Sequence, residues 1–218
     1  MSDHKDLFTP GHLNDLYNAR VFKKMFENEI LWNKNAGGWF IFNENWQVDT
    51  NDRIKSYCIR LFDEMRKHTS DWKKTETGEE EEMKNNWIRH VKNSGQSVKM
   101  SSMLECAKSL MAYDGTFDYD HWLFNCKNGT INLKTGDLYK HDPLNYITKI
   151  CNVSYKKEAI CPLWMKFLNE IFLEDQEIIK YIQKIIGYSL TGLTTEQCFF
   201  ILWGDGANGK STLIETIT

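Results

Sequence analysis

Apolar residues recur at helical spacing in the first part of the chain. Between residues 14 and 29 they stand three or four positions apart, at Leu16, Ala19, Phe22, Met25 and Phe26. This spacing predicts an amphipathic helix, and Asn14 has the short polar side chain of an N-cap. The same periodicity predicts helices over 52–67, 79–92, 97–112, 162–172 and 176–190. Methionines on the inward face of 97–112 indicate core packing.

Two other regions have the shorter period of strands. Apolar runs at 30–32 and 39–42 flank a polar stretch containing Gly37-Gly38, which predicts a hairpin. Residues 118–150 alternate around Asn128-Gly129 and Thr135-Gly136, dipeptides that favour tight turns, so a small meander is expected there.

The order of these elements is helices, hairpins, more helices, and then an apolar run at 198–203. This order is not the strand–helix alternation of an α/β protein. The pattern therefore predicts an α+β fold. We expect a helix-rich N-terminal domain with small antiparallel hairpins and a meander, followed by the truncated first strand, P-loop and helix of an α/β P-loop ATPase.

A glycine-rich motif follows the apolar run, which itself has the composition of a strand buried on both faces. Its sequence is G-x-x-x-x-G-K-S, and 211–216 can begin a helix, so the context is strand, loop, helix. A chance match on a glycine turn is the alternative, and the flanking elements weigh against it. The predicted ATP-binding residues are Gly204, Asp205, Gly206, Ala207, Asn208, Gly209, Lys210, Ser211 and Thr212.

The motif assigns a role to each part of the loop. Backbone N–H groups cradle phosphate oxygens, and the helix N-terminus adds its partial positive charge. Lys210, the predicted catalytic residue, reaches the β- and γ-phosphates, and the Ser211 hydroxyl is the predicted ligand of Mg²⁺. The predicted cofactors are therefore ATP and Mg²⁺.

Composition restricts the function classes. The hydrophobic content of 41% suffices for a packed core, and the net charge of -3 excludes a chain that is basic overall. The 6 cysteines lack zinc spacing, so reduced and mostly buried thiols are expected. The polar start predicts no signal peptide, and no apolar run approaches the ~20 residues of a membrane helix, so no membrane partner is expected.

Two further patterns are candidates for ligand binding, but for each of them a purely structural explanation is favoured. Basic residues with interleaved aromatics at 87–99, and Lys156-Lys157, are candidates for DNA contact, but a solvated helix face is the favoured explanation because there is no one-sided basic excess. His121 beside Asp118 and Asp120 has no third metal ligand at suitable spacing, which favours a loop before a strand.

Four stretches of the chain carry a family resemblance. One of them, 123–136, is similar to the signature N-x-x-N-G-T-x-x-L-x-T-G. Another is the glycine-rich loop itself, in its G-D-G-x-N-G-K-S-T form. On these stretches the chain resembles the phage, plasmid and poxvirus type primase-helicases of helicase superfamily 3. The four stretches are 12–20 with the tryptophan-rich hairpin ending at Trp46, 123–136, 161–168 with 181–190, and 204–212.

The resemblance implies a replication protein that couples ATP hydrolysis to DNA unwinding in a hexameric ring, in a bacterial or viral host cytoplasm. Expected partners in the parent protein are DNA, further copies of the chain, and other replication proteins. It implies an accessory domain over 1–195 and the start of a superfamily 3 ATPase domain over 196–218. Because the family's remaining catalytic residues follow the loop, we expect the chain to be the front of a longer protein and inactive by itself.

Two alternatives to this interpretation remain open. One is a non-catalytic assembly or DNA-recruitment module, if the chain is naturally this short. The other is an unrelated P-loop enzyme such as a small-molecule kinase. Kinases of that kind carry the P-loop near the N-terminus, whereas here about 200 residues precede it.

Overall fold

The computed structural model describes residue 8 and residues 12–71 and 78–218, and the side chains of 70 and 71 are not described. The chain divides into two compact units, the first ending at Phe117 and the second running from Asp118 to Thr218. Helices and small, mainly antiparallel sheets make up both units, which confirms the predicted α+β class. The predicted domain boundary between 195 and 196 stays a prediction.

In the described part of the first unit, four helices accompany a four-stranded sheet. The sheet order is β3-β2-β1-β4, in which β1, β2 and β3 are antiparallel neighbours and β4 lies parallel to β1. The helices are α1 (Asp15–Phe26), α2 (Ile54–Asp71), α3 (Gly78–Ser94) and α4 (Ser97–Leu110). The strands are β1 (Ile30–Asn33), β2 (Gly38–Asn43), β3 (Asn45–Val48) and β4 (Ala112–Tyr113).

The core of the first unit is formed by the apolar faces that the periodicity predicts. Asn14 caps α1, and its side-chain oxygen accepts from the Tyr17 N–H at 2.8 Å. Met103 and Ala107 of α4 are fully buried against α1, which confirms the core role of the methionine face. Large buried side chains of the cluster are Phe22, Phe26, Leu61, Phe62, Met65 and Trp87.

The second unit begins with the predicted meander, of order β5-β6-β7. These strands are β5 (Leu123–Cys126), β6 (Gly129–Asn132) and β7 (Asp137–Tyr139), and a short 3-10 helix follows at Pro143–Asn145. Three helices complete the unit: α5 (Pro162–Ile171), α6 (Gln176–Thr191) and α7 (Lys210–Ile217). They share a small apolar cluster in which Leu168, Ile179, Ile182 and Leu213 are buried.

The prediction of a strand at 198–203 is wrong. These residues have no strand pairing, and the Phe199 and Trp203 side chains are 81% and 92% exposed. A strand requires a neighbour for its backbone N–H and C=O groups, and no strand of the described chain pairs with this segment. The expectation of mostly buried thiols is also wrong, since only Cys58 and Cys126 of the 6 cysteines are buried.

Candidate nucleotide-binding loop

The glycine-rich loop leads directly into a helix, as the motif requires. Helix α7 begins at Lys210, and Gly209 stands at its N-cap with a φ of 82°. Ala207 also has a positive φ, 57°, so Asn208 is flanked by two left-handed residues. This tight turn brings the backbone of 204–209 around the Lys210 side chain.

The Lys210 ammonium lies inside the loop. It donates to the Gly204 carbonyl at 2.8 Å, the Asp205 carbonyl at 2.9 Å and the Asn208 side-chain oxygen at 2.7 Å. These contacts hold the ammonium against the loop backbone, next to the residue at which α7 begins. The Ser211 and Thr212 residues that follow are exposed on the first turn of this helix.

Two of the loop glycines combine a positive φ with close neighbours at the place of a Cβ. A Cβ at Gly204, whose φ is 152°, would lie 2.4 Å from the Asn208 Nδ2. A Cβ at Gly209 would lie 2.7 Å from a methyl group of Ile171 and 3.2 Å from the Phe167 ring. At Gly206, by contrast, a Cβ would meet nothing within 4 Å.

Helix α5 therefore packs against the loop at Gly209, and the sequence did not predict this contact. Phe167 and Ile171 contact Gly209, and Leu213 of α7 is buried with Leu168 of the same helix. The apolar periodicity of α5 predicts a packed face, but nothing in that pattern identifies the loop as its partner. The loop thus combines an apolar contact with α5 at Gly209 and an ammonium surrounded by loop oxygen atoms.

Other candidate sites are used structurally. The Asp118 carboxylate accepts from the Thr148 N–H at 2.8 Å, and Asp120 accepts from the Trp122 N–H at 2.9 Å. Within the described ranges, no group of three or more His, Cys, Asp or Glu residues could hold a metal ion. These carboxylates order the chain before β5, as a loop preceding a strand would.

The basic stretch at 87–99 does not present its aromatic residue to a ligand. Trp87 is fully buried, and its indole N–H donates to the Thr69 hydroxyl at 2.9 Å. Stacking on a nucleic-acid base requires an exposed ring, so Trp87 serves the core of the first unit instead. No helix in the described part of the chain is long and apolar enough to span a membrane.

Comparison with known proteins defines the class of the chain. Residues 19–173 match the family described as "D5 N terminal like", which is more than half of the chain. The chain therefore belongs to this family. The matched range includes parts of both compact units and ends before the glycine loop.

One curated relative extends this finding. The chain is similar to "Putative helicase L207/L206" of Acanthamoeba polyphaga mimivirus, with 28% identity over 137 residues. The similar region covers 60% of this chain and 14% of that protein, so the chain spans only a small part of its relative's length.

Proposed function

We propose that this chain is the N-terminal part of an ATP-dependent DNA helicase of the primase-helicase type, in helicase superfamily 3. The observation that carries the proposal is the Lys210 ammonium held within a glycine loop at the start of α7, in a chain of the D5 N terminal like family. The mimivirus relative that is named a helicase supports the same class.

Different groups of the loop bind the phosphates of ATP and the Mg²⁺ ion. Backbone N–H groups of 204–209 and of the first turn of α7 surround the phosphates. Lys210 neutralises charge on the β- and γ-phosphates, both in binding and as phosphoryl transfer proceeds, and the exposed Ser211 hydroxyl ligates Mg²⁺. Asp205, Gly206 and Thr212 complete the loop. In the parent protein, hydrolysis drives a hexameric ring along DNA together with other replication proteins.

A non-catalytic assembly role is the second candidate, and the surface of the second unit favours it. Large apolar side chains are exposed there, including Ile160 at 87%, Leu163 at 77% and Leu173 at 89%. Exposed apolar side chains that lie together in one patch are typical of surfaces that contact other polypeptide. Such a surface serves a recruitment module as well as a helicase subunit.

Strand displacement tests the proposed function. The longest natural product of the gene that encodes this chain should unwind duplex DNA with ATP, and Lys210→Ala should abolish unwinding because the phosphate charge is no longer neutralised. Lys184→Ala, which removes an exposed lysine from α6, is the matched control and should retain unwinding. Unwinding by the Lys210 variant would contradict the role of the loop. ATP-independent DNA binding without unwinding in the unsubstituted protein would favour the recruitment module.

A further inference from the structure

The Lys210 ammonium has all of its donors in use. A lysine ammonium carries three N–H donors and no acceptor. In this loop the three acceptors are the carbonyls of Gly204 and Asp205 and the side-chain oxygen of Asn208, at 2.8, 2.9 and 2.7 Å. A phosphate oxygen that bonds Lys210 must therefore replace or share one of these acceptors.

Asn208 provides the one acceptor of the three that can leave without moving the backbone. The carbonyls of Gly204 and Asp205 belong to the loop backbone, whereas the Asn208 carboxamide turns about its own side-chain bonds. Because an ammonium only donates, the amide atom that faces it must be the oxygen. The amide nitrogen then lies over Gly204, where a Cβ would approach it to 2.4 Å.

We infer that Asn208 is a positioning residue for phosphate binding. Its Oδ1 holds the Lys210 ammonium inside the loop, and its carboxamide packs across the loop onto Gly204, so the two ends of the loop stay together. An incoming phosphate oxygen takes the place of Oδ1 on the ammonium. The inference rests on the proposed function, because it assigns Asn208 a role only if the loop binds phosphate.

The neutrality of Asn208 is part of this role. A carboxylate at the same place would hold the ammonium as an ion pair and would set a negative charge beside the phosphates. A side chain without an oxygen would leave the Lys210 ammonium only the carbonyls of Gly204 and Asp205 as acceptors, so the loop would hold it less firmly. An amide avoids both, since it accepts a hydrogen bond and releases it without a charge penalty.

Equilibrium titration of the 218-residue chain with Mg·ATP and ADP tests the inference. Asn208→Ala should weaken binding of both nucleotides about tenfold, because the Lys210 side chain is then no longer held in place beforehand and must be ordered when the nucleotide binds. Asn208→Asp should weaken it further, and the loss should shrink at high salt. Asn152→Ala removes an exposed asparagine elsewhere in the second unit and should leave binding unchanged.

A double-mutant cycle separates positioning of Lys210 from a merely structural role. Lys210→Gln keeps a donor for the phosphates, so its residual binding stays measurable at millimolar nucleotide. Asn208→Ala should cause little further loss in that background, because the ammonium it acts through is gone. Losses that add in full, or an Asn208→Ala variant that binds like the unsubstituted chain, would overturn the inference. Absence of nucleotide binding in the unsubstituted chain would instead refute the proposed function.

Discussion

His90, Asn18 and Ser94 form a hydrogen-bonded group of three polar side chains within the first unit. Its Nε2 lies 2.8 Å from the Asn18 Oδ1, and the Asn18 amide nitrogen donates to the Ser94 hydroxyl at 2.9 Å. Since Asn18 donates through nitrogen to Ser94, its oxygen is left to accept, and His90 Nε2 is the donor. Asn18 and Ser94 are almost fully buried, so each polar group has its partner inside the unit.

Burial lowers the pKa of His90 below its ordinary value, which makes the stability of the first unit depend on pH. Asp15 opposes this shift and Lys99 reinforces it. The unfolded chain takes up the proton near pH 6.5 and the folded chain only at lower pH. The stabilising contribution is therefore complete above that pH and is lost as pH falls through and below it.

We predict that the urea midpoint falls more between pH 7.5 and 5.5 in the unsubstituted chain than in a His90→Gln variant. His121→Gln, which changes an exposed histidine, should follow the unsubstituted chain and serves as the control. Parallel pH profiles for all three proteins would show that His90 does not titrate in this way.

Among the secondary-structure elements, the helices and the turns were predictable and the pairing of distant segments was not. The 3.6-residue period and the Asn14 cap are local, and α1 starts where they indicate. The parallel pairing of β4 with β1 joins Trp32 to Ala112, which no local pattern encodes. The apolar run at 198–203 predicts a strand because its composition fits one, but composition carries no information on whether a neighbouring strand is present.

Gly129, the first residue of β6 in the meander, has no space for a side chain. Its φ is 149°, and a Cβ there would lie 2.2 Å from the Tyr139 carbonyl oxygen, across the β6–β7 pair. Gly129→Ala should therefore lower the free energy of unfolding by about 2–4 kcal/mol, from backbone strain and overpacking together.

A second glycine provides the control for this substitution. Gly187 lies within α6, where a Cβ would meet nothing within 4 Å, so Gly187→Ala should raise stability by about 0.5–1 kcal/mol. Denaturant unfolding of the two variants measures both effects. Equal stability of Gly129→Ala and the unsubstituted chain would mean that the meander does not pair as described.

At the scale of the whole molecule, the family match and the glycine loop lie in different parts of the chain. The family match covers 19–173, whereas the glycine loop lies beyond it at 204–212. The loop's residues were predictable because the motif is a local sequence with a fixed spacing. The acceptors of Lys210 and the support of Gly209 by α5 were not, because they depend on how the loop turns and packs.

Calorimetric titration of the chain with nucleotides shows whether the loop binds their phosphates. With Mg²⁺ present, the chain should bind ATP and ADP but not adenosine, since the contacts are to phosphate. Lys210→Ala should weaken ATP binding by at least about tenfold, through loss of a charged hydrogen-bond donor. Equal binding of ATP by the two proteins, or binding of adenosine as tight as that of ATP, would contradict the account.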